Sequence, residues 1–147
     1  MNIERERAAN ALEKVESLPK GDDEKCQGNK YTSYVKGLPA SILQNGLGQA
    51  MATLLAASKG KPAIENNQVK DAHRLLYNHM QAWLCRNDVN APYPVDDPIG
   101  DEDTVLLNKL TGSDEASYIR AQAEALAYLN WLKKFAVAFC PDEGGSQ

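Results

Sequence analysis

The apolar residues of positions 30–58 repeat with the period of an α-helix. A first set lies at i, i+3, i+4 and i+7 and therefore shares one helix face: Tyr31, Tyr34, Val35 and Leu38. A second set repeats in adjacent pairs and covers about half of a helix circumference: Ile42, Leu43, Gly46, Leu47, Ala50, Met51, Leu54 and Leu55. Gly37 is suited to end the first helix, and Pro39 is suited to a first helical turn, where its missing N–H has no partner to lose. We therefore predict a short helix up to Gly37 and a central helix over about 39–58, packed on two sides.

The rest of the chain shows the same period in four further segments. We predict a helix over about 2–18 and a helix that runs from a cap at Asn66 or Asn67 to about 86. We also predict a short helix that the acids of 101–103 open, and a last helix over about 114–139. Apolar side chains of the last helix are expected to form its core face, Phe135 and Phe139 included. Loops are predicted at 19–28 and 87–101 and a loose tail at 141–147. No segment has a strand pattern, so the prediction is a single all-α domain, 1–147, a compact bundle of about six helices.

Composition is ordinary for a globular domain and narrows the cellular location. The chain has 147 residues, of which 43% are hydrophobic and 24% are charged. A chain of this length can bury a core without disulfides or metals. Its three cysteines are Cys26, Cys85 and Cys140, with no CxxC pair, so we predict free thiols in a reducing cytoplasm. The charged N-terminus lacks the apolar region of a signal peptide, and no apolar run approaches the ~20 residues of a membrane span.

Charge is unevenly distributed along the chain. The formal net charge is −4, which argues against a free-standing nucleic-acid binder. Residues 30–86, however, contain seven basic and two acidic side chains, whereas residues 87–147 contain four basic and eleven acidic ones. This segregation is typical of a subunit that presents one face to phosphate and another to protein.

Five cations of the basic region are candidates for RNA contact. Lys36 lies opposite the apolar face of its helix. Lys59 and Lys61 follow the central helix, where the simpler interpretation is that they interact with its negative dipole end. Lys70 and Arg74 are four apart on a polar row, which is either a solvated helix face or a row of phosphate contacts.

The last helix carries a second stripe beside its core face. Ala127 and Trp131 belong to it, next to Lys134. An aromatic among small residues outside the core is typical of a protein interface. The alternative is a core that reaches round both sides of the helix, and the sequence does not decide between them.

No constellation of catalytic or metal-binding residues is present. The histidines, His73 and His79, are six apart and point about 120° away from each other on a helix, so they cannot chelate together. The acids of 101–103 do not match an EF-hand loop, and we interpret them as favourable charges in a first helical turn. There is no GxSxG, HExxH or P-loop motif. We predict a protein that is not an enzyme and has no cofactor, with a hydrolase using 101–103 or His73 as the alternative.

One segment resembles a known family. YTSYVKGLPASILQNGLGQAMATLL is similar to the Y-x-S-x-V-K-x-L-P-x-x-I-x-x-N-G-L-x-x-A signature of the small α-helical subunit of type III-B CRISPR effector complexes, the Cmr or RAMP module. The matching positions run from Tyr31 to Ala50. A second similarity lies in YLNWLKKFA, residues 128–136. Together the two blocks cover about 35 of the 147 residues.

The resemblance implies a non-catalytic subunit with several partners. Members of this family stack as copies of themselves in an inner filament beside the backbone subunits, and help to hold guide and target RNA for antiviral defence. RNA cleavage in such complexes belongs to another subunit. The alternative left open by the residues themselves is a helical adaptor between proteins that does not touch nucleic acid.

Overall fold

The computed structural model describes residues 2–20 and 29–142. Within them the chain forms six α-helices and one short hairpin, so the predicted helical bundle is confirmed. None of these helices is both long and apolar enough to cross a membrane. In chain order the elements are α1 (Ile3–Glu16), α2 (Asn29–Asn45), α3 (Leu47–Ser58), β1 (Ile64–Glu65), β2 (Gln68–Val69), α4 (Ala72–Leu84), α5 (Val105–Gly112) and α6 (Glu115–Phe139).

The longest helix, α6, contacts α1, α2, α3 and α4. It begins after Asp114, whose side chain accepts a hydrogen bond from the backbone N–H of Ser117. Its buried side chains recur every three or four residues: Ala121, Ala125, Tyr128, Leu129, Leu132 and Ala136. Phe135 is half-buried and packs against the core, as predicted. Phe139 is 59% exposed, so the prediction that it lies on the core face is wrong.

The main helical break lies at Gly46, not at Gly37–Pro39, so the predicted helix over 39–58 is divided differently. Helix α2 continues through Pro39. Because proline has no backbone N–H, only one hydrogen bond of the helix is lost, the one that the carbonyl of Val35 would accept from position 39. Gly46 has φ +89° and ψ 158°, a conformation that glycine adopts far more readily than other residues. Leu47, at the start of α3, is fully buried.

Side chains of α6 cap the start of α3. The backbone N–H of Leu47 donates to Oε1 of Gln122 at 2.9 Å, and that of Gly48 donates to the hydroxyl of Tyr118 at 2.7 Å. These bonds satisfy N–H groups that a helix start leaves without an intrahelical partner. The break at Gly46 is therefore stabilised by the packing of α6 against it.

A two-stranded antiparallel hairpin stands where the sequence predicted no strand. Asn66 and Asn67 have φ of 53° and 58°, which is typical of the type I′ turn that joins two strands by two residues. The prediction that one of them caps the next helix is wrong. Asp71 caps α4 instead, because its carboxylate accepts from the backbone N–H of Arg74 at 2.8 Å.

The acids of 101–103 precede α5 rather than opening it. Helix α5 begins at Val105, so the prediction that these acids fill its first turn is wrong. The carboxylate of Asp103 accepts from the backbone N–H of Gly100 at 2.7 Å and stabilises a local turn.

The cysteines do not all remain free thiols. Cys85 is free and buried, and burial raises the pKa of its thiol to about 11. Cys140, at the end of α6, is disulfide-bonded, so the prediction of a free thiol is wrong there. Cys26 lies outside the described residues. Spacing along the chain does not report which sulfur atoms the fold brings together.

Candidate nucleic-acid and protein interfaces

Three of the five candidate RNA-binding cations lie close together and exposed. Lys59 is the C-cap of α3 in a left-handed conformation, Lys61 follows two residues later, and Lys70 ends the hairpin. The backbone N–H of Lys70 donates to the carbonyl of Ala63 at 2.8 Å, which brings the two chain segments together. We call Lys59, Lys61 and Lys70 the lysine end. Within the described residues none of the three forms a salt bridge.

Lys36 is paired with the end of the described chain. Its Nζ lies 3.2 Å from a carboxylate oxygen of Asp142, and both side chains are partly buried. This contact connects α2 to the segment after α6. A phosphate at Lys36 would have to compete with a carboxylate that is already in place.

Arg74 holds the loop before α5 against α4. Its Nη2 donates to the carbonyls of Asp101 and Asp103 at 2.6 and 3.0 Å, and its Nε to the carbonyl of Asp101 at 3.0 Å. Arg74 is thus in contact with this loop, whereas Lys70, predicted on the same polar row, precedes α4 and is exposed. Gln81, also on α4, is buried, and its Oε1 accepts from the backbone N–H of Leu106 at 2.9 Å.

Trp131 lies on α6 beside the first turn of α1. Its indole Nε1 is 3.5 Å from Oε1 of Glu4, its ring stacks on Phe135, and Nζ of Lys134 lies 5.5 Å from its ring centroid. Phe135 in turn stacks on exposed Phe139. The three aromatic rings form a row along α6, and Ala127 lies half-buried one turn before it.

The two histidines lie in different surroundings. The hydroxyl of Tyr31 lies 2.6 Å from Nδ1 of His79 in the core, where burial lowers the pKa of His79 to about 3. His73 stacks on Tyr34 at the surface and lies 3.7 Å from Asp71. In the described ranges, no three acidic, histidine or cysteine side chains are grouped to hold a metal ion.

A charged cluster that sequence reasoning missed joins α1, α4 and α6. Arg7 donates to both carboxylate oxygens of Glu124 at 2.7 and 2.9 Å, and Trp83 donates its indole N–H to the same group at 2.9 Å. Burial raises the pKa of Glu124, but the hydrogen bonds from Arg7 and Trp83 outweigh it and lower the pKa overall. Arg7 and Glu124 are 117 residues apart, so no local pattern indicates the pair.

The comparisons with known proteins agree with this architecture. Residues 3–139 match the family model described as CRISPR-associated protein (Cas_Cmr5). The chain belongs to the Cmr5 family. A solved Cmr5 family protein from Thermus thermophilus has the same fold, with a TM-score of 0.64 over 95% of this chain and 99% of that one, at 23% sequence identity.

Membership of the Cmr5 family places the chain in a known kind of assembly. It is a small helical subunit of a type III-B CRISPR complex, as the resemblance of residues 31–50 implied. Membership of this family implies that the chain has other subunits of a type III-B CRISPR complex as neighbours.

Proposed function

We propose that this Cmr5 protein is a non-catalytic structural subunit of a cytoplasmic ribonucleoprotein. It stacks with copies of itself beside the backbone subunits and helps to hold guide and target RNA through a basic surface. Base pairing with the guide sets the sequence, and the subunit contributes contacts to phosphate that are independent of sequence.

The lysine end is the observation that carries the RNA part of the proposal. Its three ammonium groups are exposed and have no salt bridge among the described residues, so they are available to phosphate without first giving up a partner. Lys36 and Arg74, by contrast, already bind Asp142 and the loop carbonyls. They remain candidates with weaker support.

Salt-dependent RNA binding tests this proposal. Lys59, Lys61 and Lys70 are changed together to Glu in the assembled complex, and target-RNA affinity is measured at several salt concentrations. The log–log slope should fall by about 0.7 for each phosphate that a copy no longer binds, the value for single-stranded nucleic acid. The matched control changes Lys109, Arg120 and Lys133 to Glu, because all three are exposed and lie outside the lysine end. An unchanged slope in an intact complex removes the lysine end from the RNA path.

Exposed apolar side chains favour the second candidate function, an adaptor between proteins that does not touch RNA. Leu43, Ile119 and Phe139 are 71%, 60% and 59% exposed, so a protein partner that covers them removes apolar surface from water. An unchanged salt slope, combined with loss of assembly in variants of Ala127, Trp131 or Lys134, would favour this adaptor.

The absence of catalysis is tested on the pure chain. We expect no cleavage of labelled RNA with or without divalent metal. Metal-dependent cleavage that disappears in an Asp101→Asn or His73→Gln variant would instead establish a nuclease.

A further inference from the structure

Two aromatic rings stack on each other at the surface where α2 packs against the start of α4. The ring centroids of Tyr34 and His73 are 3.9 Å apart, and the ring planes differ by 16°. Tyr34 is half-buried and packs against the core, whereas the side chain of His73 is 28% exposed. Tyr34 is therefore the inner ring and His73 the outer one. We call Tyr34 and His73 the stacked pair.

The polar atoms of the stacked pair are left unused by the fold. Neither the hydroxyl of Tyr34 nor the imidazole of His73 forms a hydrogen bond with another described residue, and neither group is among the buried atoms that lack a partner, so both reach solvent. The carboxylate of Asp71 lies 3.7 Å from Nδ1 of His73, but it is only 11% exposed and already caps α4. The stacked pair thus offers a ring surface edged by polar atoms that face solvent.

The lysine end lies beside the stacked pair. His73 follows Lys70 by three residues, so the Cα atoms of these two residues are at most about 11 Å apart. Residues 30–64, which include α2 and α3, contain no acidic side chain that would repel a phosphate. A nucleotide whose phosphate binds at the lysine end therefore has its base within reach of the stacked pair.

The other ring contacts of the described residues lack this combination. They are either buried in the core, as between Tyr31 and His79, or they lie on α6, where Trp131 adjoins the carboxylate of Glu4. An exposed aromatic stack next to unpaired lysines is thus particular to the start of α4.

We propose that the stacked pair takes an unpaired RNA base on the outer ring of His73, while the lysine end holds phosphates of the same strand. Aromatic side chains that bind single-stranded nucleic acid stack on bases in this way and tolerate any sequence, because every base has a π face. A base inside a duplex is already stacked and paired, so the occupant is a single-stranded or splayed-out nucleotide. This inference rests on the RNA part of the proposed function, to which it adds a contact with the base.

Proton NMR of the pure chain tests the contact without any substitution. The chain has two histidines, so buried His79 is an internal control for His73. At low salt and constant pH, the chain is titrated with single-stranded octa-adenylate and with an abasic ribose-phosphate oligomer of the same length. The imidazole C2–H resonance of His73 should shift with octa-adenylate, through the ring current of the base, and stay in place with the abasic oligomer. The resonance of His79 should stay in place with both.

Variants of His73 measure the size of the contact. His73→Ala should weaken the binding of octa-adenylate by about 5- to 150-fold, the range for one base stacked on an aromatic side chain. The log–log salt slope should not change, because no phosphate contact is lost. His73→Phe keeps a planar ring and should bind as the wild type does. Ile64→Ala, which removes an exposed apolar side chain of the hairpin, is the matched control and should change neither affinity nor slope. Circular dichroism melts check that every variant folds.

The two oligomers separate this inference from the proposed function. If both oligomers shift the backbone amide resonances of Lys59, Lys61 and Lys70 while the His73 resonance stays in place, the stacking contact is overturned and the phosphate contacts stand. Wild-type affinity of His73→Ala for octa-adenylate also overturns the stacking contact. If neither oligomer moves any resonance, the stacking contact fails, and the salt slope of the assembled complex decides the proposed function separately.

Discussion

Replacing Gly46 by alanine tests the junction between α2 and α3 directly. The backbone of Gly46, at φ +89° and ψ 158°, lies in a region that costs other residues about 1–3 kcal/mol. A Cβ there would lie 3.1 Å from the hydroxyl of Tyr118, which accepts the hydrogen bond from the N–H of Gly48. Displacing that hydroxyl removes a bond that contributes about 0.5–1.5 kcal/mol. We expect Gly46→Ala to lower the free energy of unfolding by about 2–4 kcal/mol.

Gly37 supplies the matched control within the same helix pair. It lies inside α2, exposed, and a Cβ added there would meet no atom within 4 Å among the described residues. Gly37→Ala should therefore raise the free energy of unfolding by about 0.5–1 kcal/mol, because alanine is the better helix former. Urea titrations of both variants measure the two changes. Equal effects, or a destabilising Gly37→Ala with a neutral Gly46→Ala, would refute the assignment of the break to Gly46.

Three further variants test the core, the interface and the buried histidine. Leu47→Ala should lower the free energy of unfolding by about 2–5 kcal/mol, measured by urea titration, because Leu47 is fully buried. Trp131→Ala should weaken co-purification with the other subunits while melting stays nearly unchanged; a much lower melting temperature would make Trp131 a core residue. Burial lowers the pKa of His79 from 6.5 to about 3. The neutral imidazole therefore stabilises the fold fully above pH 6.5. As the pH falls from 6.5 towards 3, the free energy of unfolding decreases by up to about 1.4 kcal/mol per pH unit. His79→Gln should flatten this part of the stability–pH curve; an unchanged slope would exclude His79 as its source.

Local periodicity predicts most of the helical architecture. Helices α1 and α6 agree with their predicted extents within about two residues, because each has a long polar–apolar period and α6 has an acidic N-cap at Asp114. The signature over residues 31–50 also identifies the family. Both depend on residues close together in the chain, which a single sequence displays directly.

The position of the break between α2 and α3 depends instead on distant residues. Gly37 and Gly46 are both suited to end a helix. Pro39, which is suited to a first helical turn, favours a break after Gly37. The bonds that select Gly46 come from Tyr118 and Gln122, which are 70 and 75 residues away from the groups they cap. No pattern within the two helices contains that information, so tertiary contacts override the local preference.

The pairing of the charged side chains also depends on distant residues. The sequence places Lys36, Arg74 and the lysine end in one basic region, but it does not show which of them its own chain pairs. The fold supplies Lys36 with a carboxylate 106 residues away and Arg74 with carbonyls 27 and 29 residues away. The lysine end lies at the exposed connections between α3, the hairpin and α4, and it forms no salt bridge with another described residue. A cation at a connection is therefore a stronger candidate for a partner's phosphate or carboxylate than a cation on a helix face, which a neighbouring segment of its own chain can cover.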